Sequence, residues 1–388
     1  MNGCCRQSKD QPVMIIRMQW YNLVVLLALV SFSACSKSGG TSTGGGGTGG
    51  GGGGGTTTVI LKNLATPPVG VGISYDLFKN NLSYSGLIKT QFDRVTAEYQ
   101  MKHGANVKND GTYEFSRTDD FVNLAQANGL SVFGHVLAWH QNNNGTYLRS
   151  LSGAAQVNSA LQNWITTMVT RYKTKVTGWD VANEVVVDGT GDLRTSANSP
   201  AGSDVFYWAD QLGRNYIADA FRWANAADPA AKLFINDYNL EYDSRKLDSV
   251  IKIINELKAA SVPIHGVGTQ MHININTSNA GIDNMFQKLA ATGLLVHVSE
   301  IDVRINPSSA SPFTPTTALY DQQAQKFRYI AESYFRNVPA AQRWGLTVWN
   351  LTDADSWIVQ SGKIDFPTLF DAGYNKKSAF TEYSAGLQ

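Results

Sequence analysis

From residue 59 onward, short apolar runs alternate with longer stretches in which apolar residues recur every three or four positions. The runs are rich in β-branched residues and predict strands at 69–75, 92–98, 130–139, 176–184, 232–239, 266–273, 294–303 and 344–350. The periodic stretches predict helices at 119–128, 154–172, 204–227, 244–260, 282–291 and 317–337. In 244–260, Leu247, Ile251, Ile254 and Leu257 form one face, with Lys246, Lys252 and Lys258 largely off it. Gly129, Gly178 and Gly293 fall near helix-to-strand junctions, where a stop signal is expected. Eight strands alternating with helices predict an α/β chain folded as one (β/α)₈ barrel. A doubly wound open sheet is the alternative, but nothing like G-x-G-x-x-G follows the first strand.

The first 58 residues follow another logic. Arg17 precedes an apolar run over 23–30, and Ser33-Ala34-Cys35 follows, as in a secretory signal. Eight uninterrupted apolar residues are too few to span a bilayer. Two small residues before a cysteine resemble a bacterial lipoprotein signal, which implies lipidation of Cys35. Residues 39–55 hold 13 Gly, the rest Thr and Ser, and such a chain behaves as a flexible coil. From residue 36 to 58 its typical reach is roughly 25 Å. The expected organisation is a signal over 1–34, a lipidated cysteine with its tether over 35–58, and a globular domain over 59–388. The expected location is outside the cytoplasm, on a bacterial envelope or secreted, with the lipid as the only membrane contact.

Charge and cysteine content narrow the function. Removing residues 1–34 leaves 29 basic and 30 acidic residues, with no electrostatic footprint for nucleic acid. The three cysteines, Cys4, Cys5 and Cys35, all precede the domain. Neither a disulfide framework, a thiolate metal site nor a cysteine nucleophile is therefore available to it. No partner subunit is implied, and a monomer is expected.

A barrel should carry its chemistry at the C-terminal ends of its strands. Unusual residues gather there. The second predicted strand ends in Glu98, and the third carries His135, Trp139 and His140. The fourth ends Trp179-Asp180-Val181-Ala182-Asn183-Glu184, and the fifth Asn236-Asp237-Tyr238-Asn239. Gln270 and His272 lie on the sixth, Glu300 and Asp302 on the seventh, and Trp349 ends the eighth, with Trp357 just beyond. Period two puts Gln270 with His272, Glu300 with Asp302, and His135 with Trp139 on common faces.

Two carboxylates across a barrel mouth suggest glycoside hydrolysis. One protonates the leaving oxygen and needs a raised pKa; the other stays ionised to attack the anomeric carbon or activate water. The 16 Tyr, 16 Phe and 9 Trp suit a sugar ligand, whose apolar face packs on flat rings. A metal site could be drawn from His135, His140, His272, Asp237 and Asp302, but no H-x-x-x-H or H-E-x-x-H spacing supports it. No G-x-S-x-G elbow offers a serine nucleophile.

Seven ordered motifs carry a family resemblance. They are Thr96-Ala97-Glu98 with Met101-Lys102, Gly134-His135 through Trp139-His140, the Trp179-to-Glu184 and Asn236-to-Asn239 runs, Gly266-Val267-Gly268 with Gln270 and His272, Ser299-Glu300-Ile301-Asp302-Val303, and Val348-Trp349 through Ser356-Trp357. Together they resemble glycoside hydrolase family 10, the endo-β-1,4-xylanases, from about Val69 to the C-terminus. The resemblance implies a (β/α)₈ barrel, no cofactor, and retention of anomeric configuration on xylan and xylo-oligosaccharides. It implies Glu184 as acid/base, Glu300 as nucleophile, His272 as its hydrogen-bond partner and Asp302 as the acid orienting that histidine. Asn183 would meet the 2-hydroxyl of the reacting sugar. Lys102, His135, Trp139, Gln270, Trp349 and Trp357 would wall the glycone side and Tyr238 the aglycone side, with Glu98 also expected to bind substrate.

The sequence also departs from the family pattern. After the second-strand Glu the family usually has Asn, then Glu before Met-Lys; here these are Tyr99 and Gln100. His103 replaces a usual Trp, Gln141-Asn142 follow Trp139-His140, and Asn350 replaces a frequent Gly. Turnover is expected to survive with an altered substrate preference. Two other readings are cellulose or β-glucan as substrate for the same chemistry, and a non-catalytic xylo-oligosaccharide-binding lipoprotein. The second should have lost a glutamate, and both are present.

Overall fold

A computed structural model describes residues 59–388. The signal, Cys35 and the glycine tract lie outside the described residues. Nine parallel strands build one sheet: β1 Val69–Ile73, β2 Arg94–Ala97, β3 Ser131–Gly134, β4 Val176–Asn183, β5 Lys232–Asp237, β6 Gly266–Thr269, β7 His272–Asn274, β8 Leu295–Arg304 and β9 Arg343–Trp349. Pairing of β6 with β8 and of β9 with β1 closes eight of them into a barrel, and β7 lies against the end of β8. The predicted (β/α)₈ barrel is the observed fold.

The predicted strand over 266–273 is two. β6 pairs Thr269 with Val298, while β7 pairs His272 with Asp302, so β8 carries one residue more than its neighbour. The same stretch of β8 slips against β9 between Val298 and Ile301. Glu300 sits in this irregularity, which re-aims side chains at a barrel rim. Met271 absorbs the break with φ 59°. The third predicted strand stops at Gly134 and rejoins β4 at Leu137 and Ala138, through Leu137 N to Asp180 O at 3.0 Å and the Ala138–Ala182 bridge. The helix expected over 204–227 is interrupted at Gly213, φ 59°, into Trp208–Leu212 and Tyr216–Ala227. Gly178 lies inside β4 rather than at a junction; Gly129 and Gly293 do end helices, with φ 71° and 76°. Two helices between β1 and β2, Tyr75–Asn80 and Leu82–Gln91, were not expected. The second buries Ser85 and Gln91 beside Tyr84 and Ile88 and exposes Leu82, so polar residues blur its apolar face.

The barrel interior is filled by Phe133, Phe234 and His297, with ring centroids 4.6–6.0 Å apart. Burial drives the His297 imidazole well below its ordinary pKa, and its Nε2 shares a hydrogen bond with Thr347 Oγ1 at 3.0 Å. It is a neutral core residue.

Helix Ser244–Ala259 corrects the face read from its sequence. Val250 and Ile253 join Leu247, Ile254 and Leu257 in the core, Ile251 is half-buried, and Lys246 is fully buried. Its ammonium bonds Asp237 at 2.8 Å and Asp188 at 2.7 Å, and lies 3.3 Å from the centroid of the Tyr238 ring. Burial opposes this charge, but Asp237, Tyr238 and Asp188 together hold its pKa above the ordinary value. Lys246→Met leaves Asp237 buried without its cation. It is expected to cost about 3–5 kcal/mol in urea-unfolding free energy at pH 7; a loss under about 1 kcal/mol would mean that Lys246 and Asp237 do not meet as an ion pair.

Candidate active site

A cleft of about 630 Å³ opens at the C-terminal rim of the barrel. Twelve of the thirteen residues expected at the site line it: Glu98, Lys102, His135, Trp139, Glu184, Tyr238, Gln270, His272, Glu300, Asp302, Trp349 and Trp357. The thirteenth, Asn183, lies directly behind them, 2% exposed.

The two glutamates are joined by a ladder of amides. Gln270 Nε2 donates to Glu184 Oε1 at 3.0 Å and to Asn183 Oδ1 at 3.3 Å. Asn236 Nδ2 donates to the same Asn183 oxygen at 2.9 Å and to Glu300 Oε1 at 2.9 Å. Turning the Asn183 amide over would let its oxygen accept from Trp139 Nε1 at 3.2 Å, but would set its nitrogen against that of Asn236. The bridging orientation satisfies both amide donors and the two carboxylates at once. Glu184 follows the last residue of β4 with φ 54°, a left-handed conformation costly for a side chain of this size. Asn142, Asn239, Met271 and Asn350 also have positive φ. Strain gathers around the cleft.

The environments of the two acids differ. Glu300 is 4% exposed and receives Asn236, while His272 Nε2 stands 3.3 Å from its Oε2. Burial opposes its charge, yet His135, His272 and Asn236 hold its pKa below the ordinary value. His272 Nδ1 bonds Asp302 Oδ2 at 2.7 Å, an oxygen that also accepts from Trp357 Nε1 at 2.8 Å. Against burial, Asp302 and Glu300 raise His272 to about 10, so the imidazole is charged at neutral pH. Glu184, 8% exposed, accepts from one amide and lies 4.0 Å from His140 Nε2. Burial lowers His140 to about 4, so it is a neutral neighbour. One acid is thus held by a full cation and an amide, the other by an amide alone.

The aromatic walls are fixed from behind. The Trp349 ring lies where a Cβ on Gly72 would stand, 2.4 Å from its Cε3, so β1 needs glycine there. His135 Nδ1 bonds Asp180 Oδ2 at 2.9 Å, and its ring meets Trp349 at 5.6 Å. Lys102 Nζ lies 4.6 Å from the Trp139 ring centroid and donates to Asn142 Oδ1 at 3.1 Å.

Sequence reasoning missed four residues that hold the site. Asn236 and Asp180 lie within the sequence motifs, where nothing local gives them a task. Arg194 donates to the carbonyl oxygens of Glu184 at 2.7 Å and Val186 at 3.0 Å, and to the Tyr238 hydroxyl at 2.9 Å. Lys246 supports the other side of Tyr238. An isolated Arg in the segment after β4 and a Lys on an amphipathic helix carry no signal of such roles. Among the described residues, no group of three His, Cys, Asp or Glu is placed to hold a metal ion.

A closed (β/α)₈ barrel with two differently solvated carboxylates and aromatic walls at its rim has the architecture of a glycoside hydrolase. Residues 60–385 match glycosyl hydrolase family 10, and the chain belongs to that family. It is 34% identical over 345 residues to the endo-β-1,4-xylanase Xyn10C of Cellvibrio japonicus, covering 82% of this chain and 56% of that one. It is 34% identical over 326 residues to endo-1,4-β-xylanase A of a Caldicellulosiruptor strain, covering 80% of this chain and 45% of that one. The chain therefore spans about half the length of these relatives. A structure of Cellvibrio japonicus xylanase 10C in complex with xylopentaose superposes with a TM-score of 0.78 at 32% identity, covering 85% of this chain and 69% of that one.

Proposed function

We propose that this chain is a retaining endo-β-1,4-xylanase acting by double displacement. The observation that carries the reading is the unequal support of two carboxylates joined by one amide ladder. Glu300, kept ionised by His272 and Asn236, attacks the anomeric carbon while Glu184 gives its proton to the leaving oxygen. Glu184 then takes a proton from water, which displaces Glu300 from the sugar. Asp302 fixes the His272 ring so that its Nε2 faces the nucleophile. The test is product analysis on xylan beside carboxymethylcellulose. Xylo-oligosaccharides whose first-formed anomer is β by proton NMR are expected; an α anomer would contradict double displacement, and preferential release from carboxymethylcellulose would move the substrate to β-glucan.

The acidic limb of the kcat/KM profile follows from Glu300, which must be deprotonated to attack. Its pKa lies below the ordinary 4.5, so the limb is expected below pH 4.5. His272→Gln removes the cation that helps hold it there and should move the limb upward. An unmoved limb would assign the titration to another group.

The proposal extends to an exported, lipid-anchored form. Its support is Arg17, the apolar run over 23–30, Cys35 and the glycine tract that follows. Fatty-acid labelling of the full chain, lost in Cys35→Ser, is the corresponding check.

A further inference from the structure

A second cavity, of about 650 Å³, lies outside the catalytic cleft and is close to it in size. The start of helix Thr317–Asn337 forms one side, through Thr317, Tyr320 and Asp321. The segment after β9 and the turn over 371–378 form the others. The two hollows share a wall. Within the segment after β9, Trp357, Ile358 and Lys363 line the cleft, while Val359, Asp365 and Phe366 line the second cavity. An ion pair crosses that wall, for Arg304 of the cleft bonds Asp365 at 3.0 Å. Asp365 also accepts from the backbone N–H of Ile305 and of Phe366, each at 2.9 Å, so the wall is fixed.

The lining narrows the ligand. Tyr320 and Phe366 meet edge to face, with ring centroids 6.1 Å apart. Lys377 stands 5.5 Å from the Tyr320 centroid, but its ammonium is committed to the buried Asp353 at 3.0 Å and to the Phe366 carbonyl oxygen at 2.7 Å. Asp371 is held by the backbone N–H of Gly373 and of Asn375, each at 2.8 Å. Among the described residues the exposed Asp321 makes no hydrogen bond or ion pair, and no hydrogen bond reaches the Tyr320 hydroxyl. The lining therefore holds acceptors and a phenol but no uncommitted cation, and a phosphate or an acidic chain finds no counter-charge in it. Aromatic rings beside carboxylates and hydroxyls suit a neutral sugar, whose apolar face packs on a ring while its hydroxyls donate to oxygens.

We propose that this cavity is a second carbohydrate-binding site, which holds a short run of xylose units while another part of the same polymer occupies the cleft. The choice of xylose rests on the xylanase reading above. A polymer held at the shared wall is concentrated at the cleft. A substrate short enough to fill only the cleft gains nothing from the second cavity.

The experiment compares the parent protein with Tyr320→Ala, which removes the half-buried ring, and with Ala372→Trp, which fills the cavity from an exposed position. Each is assayed on soluble polymeric xylan and on an aryl β-xylobioside. Both variants are expected to raise KM on the polymer about tenfold, the scale of one aromatic contact, and to keep kcat/KM on the short substrate within about twofold. The exposed Ala372→Trp should match the parent in melting temperature, so a folding defect in Tyr320→Ala does not decide the result. An unchanged KM on xylan in folded Ala372→Trp would overturn the second site and leave the xylanase reading standing. An equal loss on both substrates would mean that the variants act on the cleft through the shared wall, and would overturn it too. If the parent cleaves no xylan, electrophoresis in gels holding xylan decides. Retention weakened by both variants would keep the site and sink the xylanase reading, and no retention would sink both.

Discussion

Glu300→Ala is expected to lower xylan hydrolysis to about 10⁻⁴ of the parent rate or less, a barrier increase of about 5 kcal/mol. The size follows from the chemistry. With the nucleophile gone, no glycosyl-enzyme intermediate forms, and no carboxylate remains on that face to activate a water in its place. Stereochemistry makes the claim specific. An activated aryl β-xyloside given azide should react in this variant from the vacated face, forming the carbon–nitrogen bond as the aryloxide leaves. The product is the α-xylosyl azide, with inversion. Near-parental xylan turnover, or no α-azide from a folded variant, would remove Glu300 from the role. Asn236 and His272 lose their carboxylate partner in this variant, so its fold should be checked by near-ultraviolet circular dichroism.

Glu184→Ala is expected to separate substrates by leaving group. On xylan, where the departing alkoxide needs a proton, the loss should be about 10²–10⁴-fold in kcat/KM. On aryl β-xylosides with acidic phenols the first step needs little protonation, so kcat/KM should remain within about tenfold of the parent. Breakdown of the intermediate is then slow, because nothing activates water, and a burst of phenol should precede a reduced steady rate. Azide needs no general base and restores turnover. It attacks the sugar on Glu300 from the face the leaving group left, so the product is the β-xylosyl azide. Opposite anomers from the two variants identify which carboxylate attacks and which transfers protons. An equal loss on xylan and on the best aryl substrate would argue that Glu184 holds the site's geometry without moving a proton. Gln270, which donates to Glu184 at 3.0 Å, would then be reorienting within the amide ladder.

Much of this site is legible in the chain because polar groups in the wrong place are conspicuous. A strand buried on both faces should read as continuous apolar residues. Asn183, Glu184, Gln270, His272, Glu300 and Asp302 break that pattern at strand ends, where burial without partners would be costly. The register of the breaks was less accessible. The expectation of one strand over 266–273 follows from alternation, yet Gln270 and His272 fall on either side of a break at Met271. They still reach the same cleft because β8 carries an extra residue opposite.

The residues that stabilise the site from outside were the hardest to read. On a helical wheel Lys246 shares the stripe of Val250, Ile253 and Leu257, so its burial follows the helical period, but only the fold brings Asp237, Asp188 and the Tyr238 ring around it. Arg194 gains its task from the path of the segment between β4 and β5. The sequence alone determined the barrel, the strand ends that bear the chemistry and the two glutamates, since apolar periodicity and the cost of burying charge are properties of neighbouring residues. Tertiary structure decided the bulge that turns Glu300 toward His272 and the buried cation beneath Tyr238. Each of these depends on contacts between residues far apart in the chain, and no local pattern encodes such a contact.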